Sequence, residues 1–514
     1  MAASLRCSQH QHAGFREPVA VKLQRSSGVL LHLTSLPGRF GVGDLGAESR
    51  HFADWLADAQ QRVWCVLPFG PPGPFSSPYQ SCSAFAGSPL LISPDELVAQ
   101  GYLSSKDLRS VPRFPATRVA YPAVTRYKEG LLRRAFLAFS ESREYQDFVA
   151  HNSWWLEPYV NFMALRHANH HRPWNTFDPR RKPPAQAARY HSFLQFEFFR
   201  QWTQLRKYCR ERHISILGDL PFYVEYNSAD VWSHPALFDL DENHHMRSVG
   251  GVPPDYFSAD GQRWGSPTYR WECIAQNNFR WWIDRFRFAF EHLDFLRVDH
   301  FRGFEAFWSV PARDKTARNG HWVAGPGAAL FEAVKQQLGD APIVAENLGV
   351  ISSEVEALRN QFGFPGLAVM QFGFGDDGTH LPTNYSQNTV AFTGTHDNNT
   401  TNGWWSELRK NAERGDSAGD RETLARVKSF LRTDAEEIHW PCIKSVMESR
   451  ADLAIFPLQD VLGLGGEARM NLPGREKGNW LWRFERGQLS PALLEGLRDL
   501  TEATGRAAAA PGQT

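Results

Sequence analysis

Three stretches of the chain run from apolar, strand-like residues into a carboxylate. Leu296-Arg297-Val298-Asp299-His300 is the first, Ile343-Val344-Ala345-Glu346-Asn347 the second and Ala391-Phe392-Thr393-Gly394-Thr395-His396-Asp397 the third. Arg297 and Asp299 are two residues apart, so a strand places both on one face. A charged pair at the end of a buried strand is costly unless the two groups satisfy each other or meet a ligand. One aspartate at a strand end is most often a helix cap or a loop residue. Three carboxylates at corresponding positions, each followed by a helical segment, point instead to one site at the C-terminal face of a parallel barrel.

Such a set has a definite use. Two carboxyl groups that flank a glycosidic bond are the usual machinery for cleaving it. One attacks the anomeric carbon or activates water, and the other is protonated to release the leaving oxygen. A third can stabilise the oxocarbenium-like charge and raise the acid's pKa by like-charge repulsion. Arg297 would keep Asp299 ionised, and the apolar approach of Val344-Ala345 favours a protonated Glu346. The other use of the same side chains is a divalent cation held by Asp219, Asp299 and Glu346. The coupling to Arg297 and the surrounding aromatics favours a sugar over a metal.

The elements that must position these groups follow in order. Apolar runs of strand length lie at 28–33, 63–67, 213–219, 296–298, 343–345, 366–372, 390–395 and 454–457. Helical spacing occurs at 44–59, 194–212, 279–290, 326–338 and 352–360. Alternating strand and helix implies a parallel sheet with right-handed crossovers, and eight strands suit a closed (β/α)8 TIM barrel. The pattern predicts one catalytic domain over 26–506 with two insertions. One, at about 92–185, is mostly helical. The other, at about 222–275, is loop-rich and rich in Gly, Pro and aromatics, as substrate-covering loops are. Residues 1–25 and 507–514 read as flexible tails.

Composition removes several classes. The 514 residues hold 56 Lys+Arg and 56 Asp+Glu, which argues against nucleic acid or an anionic membrane as partner. No apolar run approaches a membrane span. The six cysteines are scattered without a Cys-x-x-Cys pair, as reduced thiols in a cytoplasmic protein would be. Residues 1–25 lack the apolar core of a secretory signal. Trp is abundant at 18 residues, beside 36 Phe and 13 Tyr. Most belong in a core, and several can serve as flat platforms for sugar rings. His167, His170 and His171 have ligand-like spacing without a carboxylate or cysteine companion, and Leu462-Gly-Leu-Gly-Gly466 lacks the lysine of a phosphate loop. Neither is read as a site.

Nine ordered segments resemble the amylomaltases, the 4-alpha-glucanotransferases of glycoside hydrolase family 77, relatives of the alpha-amylases. They are LLHLTSLPGRFGVGDLG at 30–46, SPYQSCSAFAG at 77–87, LGDLPFYV at 217–224, SADVW at 228–232, GVPPDYFSADGQRWGSPTY at 251–269, LRVDHFRGFEAFW at 296–308, VAENLG at 344–349, FTGTHDNNT at 392–400 and ARMNLPG at 468–474. The resemblance implies Asp299 as nucleophile, Glu346 as general acid/base and Asp397 as transition-state stabiliser. It places Tyr79, Asp219, Arg297, His300 and His396 around the sugar, Gln262 and Trp264 on an acceptor-side loop, and Phe372 along the same groove. It implies α-1,4-glucans and maltooligosaccharides as substrates, glucose as an acceptor, no cofactor and no metal, and a monomer or homodimer. Three departures stand out: Asn347 and Asn399 where the family often has Asp, and Ser88 in place of Asn in Ala86-Gly87-Ser88-Pro89. They bear on supporting contacts and pH dependence, not on the reaction class. A maltodextrin hydrolase would carry the same carboxylates. A silent glucan-binding protein would have lost one of the three.

Overall fold

Eight short strands supply the apolar runs with partners. The computed structural model describes residues 23–254, 258–375, 378–415 and 418–507. Most of both predicted tails, and Asp255, Tyr256 and Phe257 of the second insertion, lie outside the described residues. Twelve strands occur among the described residues: β1 (Ser26–Leu30), β2 (Val63–Cys65), β3 (Ser215–Leu220), β4 (Ser248–Val252), β5 (Gln262–Pro267), β6 (Phe295–Val298), β7 (Ala306–Pro311), β8 (His321–Ala324), β9 (Ile343–Ala345), β10 (Gly366–Val369), β11 (Thr389–Phe392) and β12 (Leu453–Pro457). Eight of them close a parallel barrel in the order β1-β12-β11-β10-β9-β6-β3-β2. Each coincides with one of the eight apolar runs. Their residues are almost all buried, because helices cover the outside of the ring and side chains fill the inside.

Neighbouring strands of the ring fix the site's geometry through register. In β3 and β6, Asp219 lies opposite Arg297, and in β6 and β9, Val298 lies opposite Ala345. The residues just past these pairs, Asp299 and Glu346, therefore emerge side by side. The helix Arg280–His292 ahead of β6 buries Trp282, Ile283, Phe286 and Phe290 against the barrel at helical spacing. The helix Ala185–Glu211 ahead of β3 begins nine residues before the periodic stretch suggests, and it packs along the long helix Arg143–Ala168. Between β11 and β12, a stretch given no element by the sequence pattern, lie the helices Thr401–Arg414, Ala418–Leu431 and His439–Glu448.

The second insertion is more ordered than its Gly- and Pro-rich sequence suggests. β4 and β5 pair antiparallel with each other, and β4 also pairs with β7, giving a separate four-stranded sheet in the order β5-β4-β7-β8. Two of its strands come from beyond β6, so no local stretch of sequence contains the sheet. Among the described residues no helix is long and apolar enough to cross a membrane.

Candidate active site

Arg297 is the hub of the site. Its guanidinium donates a short hydrogen bond to Asp219 Oδ2 and lies 3.1 Å from Asp299 Oδ1. Tyr79, from the 77–87 loop after β2, donates its hydroxyl to the same Asp219 oxygen at 2.8 Å. The three aspartates differ in access: the Asp219 side chain is 2% exposed, Asp299 28% and Asp397 47%. Asp219 is thus a buried counter-ion for Arg297, whereas Asp299 and Asp397 are partly open to solvent. Burial pushes Asp219 up to about 7, with Arg297 acting against it. Asp299 is also raised by burial. Arg297 opposes that rise without cancelling it, because its charge is shared with Asp219.

Glu346 is fixed by the backbone. The amide of His300 donates to its Oε2 at 2.7 Å and the amide of Leu348 to its Oε1 at 2.9 Å. Both amides favour the anion, as does Arg297, yet burial dominates and lifts Glu346 to about 8. His300 reaches this position with a left-handed backbone, φ +49°. Its ring meets Trp264 edge-on at 4.9 Å, and burial depresses it to about 3. The imidazole is therefore neutral at ordinary pH.

Asp397 is held from a different segment. Asn471 Nδ2 donates to Asp397 Oδ1 at 2.6 Å, and Arg469 donates to the Asp397 backbone oxygen at 2.6 Å. His396 Nε2 lies 3.4 Å from the same carboxylate oxygen, and burial lowers this imidazole to about 4. The His396 ring stacks on Tyr79 at 5.2 Å and 19°, and Trp480 leans on both rings. The sequence assigns no role to Asn471 or Arg469, and marks Trp480 only as one of several tryptophans beside polar residues that can serve as sugar platforms. Their signal was present, since 468–474 is one of the nine ordered segments and Trp480 sits among polar residues, but nothing local ties them to Asp397.

The remaining expected residues are placed as follows. Gln262 and Trp264 lie on β5, where Trp264 Nε1 donates to Gln262 Oε1 at 3.1 Å. Contact with His300 brings this edge of the small sheet against the barrel mouth. Phe372 ends the turn after β10 and is 44% exposed, with His380 as its aromatic neighbour. Among the described residues no three of His, Cys, Asp and Glu are arranged to hold a metal ion. Asp219 and Asp299 spend their closest contacts on Arg297, the wrong partner for a cation site.

This constellation matches known proteins along nearly its whole length. The sequence profile of the glycoside hydrolase family 77 4-alpha-glucanotransferases matches residues 31–489. The chain belongs to this family. It is 46% identical to the 4-alpha-glucanotransferase of Synechocystis sp., over 94% of this chain and 98% of that one. It is also 46% identical to that of Thermus thermophilus, over 95% of this chain and 100% of the relative. Among solved structures, the amylomaltase of Streptococcus agalactiae in complex with acarbose superposes with a TM-score of 0.88 at 34% identity, covering 94% of this chain and all (100%) of that one.

Two of the three departures from the family pattern have a structural context in this 4-alpha-glucanotransferase. Asn347 donates from Nδ2 to Glu356 Oε1 at 2.7 Å and accepts from the Leu367 amide at 2.8 Å. An aspartate there would face Glu356 as a like charge. Ser88 accepts from the Leu90 amide and caps the turn Pro89–Leu91. The Asn399 backbone oxygen accepts from Gln371 Nε2 at 2.9 Å, while its side-chain oxygen is buried with no partner among the described residues. Nothing in the structure explains that choice.

Proposed function

We propose that this 4-alpha-glucanotransferase works by double displacement, with Asp299 as nucleophile, Glu346 as acid/base and Asp397 as stabiliser of the positive anomeric carbon. The observation that carries the reading is the arrangement around Arg297, with the Asp299 carboxylate 3.1 Å from the guanidinium and Glu346 gripped by two backbone amides. Burial lifts Glu346 to about 8, so it holds a proton at neutral pH, while Asp299 lies partly exposed beside a guanidinium. In the first half, Glu346 gives its proton to the glycosidic oxygen, the bond from C1 breaks, and Asp299 forms an ester to C1. In the second, the 4-hydroxyl of an acceptor glucan or glucose attacks C1, its proton passes to Glu346, and the ester breaks. Two inversions return the α configuration. Tyr79, Arg297, His396, His300 and Asp219 would shape the subsite that holds the reacting sugar. Gln262 and Trp264 would cover the acceptor side and Phe372 line the groove, limiting access of water to the ester.

The substrates in this reading are α-1,4-glucans and maltooligosaccharides. Five free, mostly buried thiols among the described residues fit a cytoplasmic setting. A monomer or homodimer is the expected assembly, which sedimentation would read directly. Incubation with maltotriose, resolved by chromatography over time, tests the reaction. Glucose together with maltopentaose and longer chains is the expected result. Glucose and maltose without longer chains at any time would assign a hydrolase on the same scaffold. Asp299→Asn should cut turnover on the order of 10⁴-fold with glucan binding retained, and near-normal turnover would refute the nucleophile assignment.

A further inference from the structure

On the other side of the 77–87 loop from Tyr79 lies a cavity of about 570 Å³, lined by none of the residues assigned to the active site. Its size falls in the range of about 300–1,000 Å³ usual for small-molecule sites. Its apolar wall is aromatic: Phe85, Trp154, Trp155 and Trp281. Phe85 and Trp154 meet edge-on at 4.9 Å, with Trp154 half-buried and so still open on one side. The lining also includes three consecutive exposed amides, Gln276, Asn277 and Asn278. Their side chains make no hydrogen bond to protein among the described residues. Asn278 and Phe279 both have left-handed backbones, φ +49° and +56°, a conformation that costs free energy and aims this corner. Trp281 adds an indole N–H buried with no partner among the described residues.

The charges in the wall are already used. Asp284 is paired with Arg280 at 2.8 Å and with Arg287. Asp230 accepts from the Ala84 amide at 2.8 Å. A cavity with satisfied charges, aromatic faces and open amides suits neither an anion nor a cation. It suits a neutral polyhydroxylated ligand, whose ring faces are apolar and whose edges donate and accept.

We infer that this cavity is a second saccharide site, taking an α-1,4-linked oligosaccharide apart from the catalytic cleft. The inference rests on the glucan-transfer reading for its choice of sugar. The same loop serves both places: Tyr79 donates to Asp219 in the cleft, while Ala84 and Phe85 meet Asp230 and Trp154 at the cavity. A sugar here would brace the segment that carries Tyr79 and keep a long glucan near the cleft between transfers.

Equilibrium dialysis of labelled maltoheptaose against the full-length Asp299→Asn protein tests this. Two equivalents bound per chain are expected, falling to one when Trp154→Ala is added. Because Trp154 also packs on Phe85, the exposed pair Gln276→Ala/Asn277→Ala is a second variant that leaves the core alone, and it too should lose one equivalent. A single equivalent in the Asp299→Asn protein, or two that persist in the folded Gln276→Ala/Asn277→Ala variant, would overturn the inference. The identity of the products formed from maltotriose by the unmodified protein reads the reaction at the catalytic cleft. Failure of the transfer reading would therefore show in that assay, whatever the dialysis count.

Discussion

Glu346 and Asp299 share one cation and differ in what surrounds them. The two amides on Glu346 orient it but do not offset its burial, so it stays protonated to about 8. In the proposed mechanism Asp299 must be ionised to attack. Its carboxyl is raised from its ordinary value of 3.8 by burial, with Arg297 opposing. The consequence is a bell-shaped dependence of kcat/KM on pH. The acidic limb rises as the Asp299 proton leaves, at a pH above that carboxyl's ordinary value. The alkaline limb falls near pH 8 as Glu346 loses the proton it must donate. The two limbs belong to the coupled pair, and steady-state kinetics on maltotriose from pH 4 to about 10 would read them. Glu346→Gln should abolish turnover of maltotriose yet recover on donors whose leaving group needs no proton. If such donors fare no better, Glu346 is not the acid.

At the scale of elements, Asp397 depends on a segment that never enters the barrel. Asn471 holds its carboxylate and Arg469 its backbone oxygen. A hydrogen bond to a charged group contributes about 1.5–3 kcal/mol. Asn471→Ala should therefore lower kcat about 10–100-fold with KM little changed, since in the proposed mechanism the contact orients a group needed most in the transition state. An equal rise in KM with kcat intact would make Asn471 a binding residue instead. The short sheet β5-β4-β7-β8 works similarly, bringing Trp264 against His300 and so against the amide that grips Glu346.

For the molecule as a whole, barrel closure brings the two ends of the described chain onto one loop. Arg506, 0% exposed, donates to the backbone oxygens of Ser26, Met447, Ser449, Ala451 and Asp452. Arg25 adds bonds to Met447, Ser449 and Thr504. The loop leads into β12, the strand that pairs with β1 to close the ring. Arg506→Met keeps the apolar stem and removes the donors, leaving several carbonyls buried without partners. It should cost about 3 kcal/mol of stability, seen as a lowered midpoint in denaturant with the slope unchanged. A midpoint within error of the unmodified protein would show that water can replace the guanidinium there.

The sequence alone was enough for the eight barrel strands, because a strand covered on both faces must be apolar along its length and that signal is local. It was enough for the family, whose motifs are written in order, and it puts Asp299, Glu346 and Asp397 each just past such a run. Tertiary structure decided the rest. Which aspartate takes the short bond from Arg297 depends on the register of β3 against β6, and Asp219 wins. That Ser248–Val252 and Gln262–Pro267 of the Gly- and Pro-rich insertion are strands depends on partners from beyond β6. Trp480 and Asn471 reach the site only because the segment after β12 folds back over the barrel mouth, next to Tyr79 and Asp397. Contacts between distant segments are set by packing and register, and neither is written in the residues on one side of the contact.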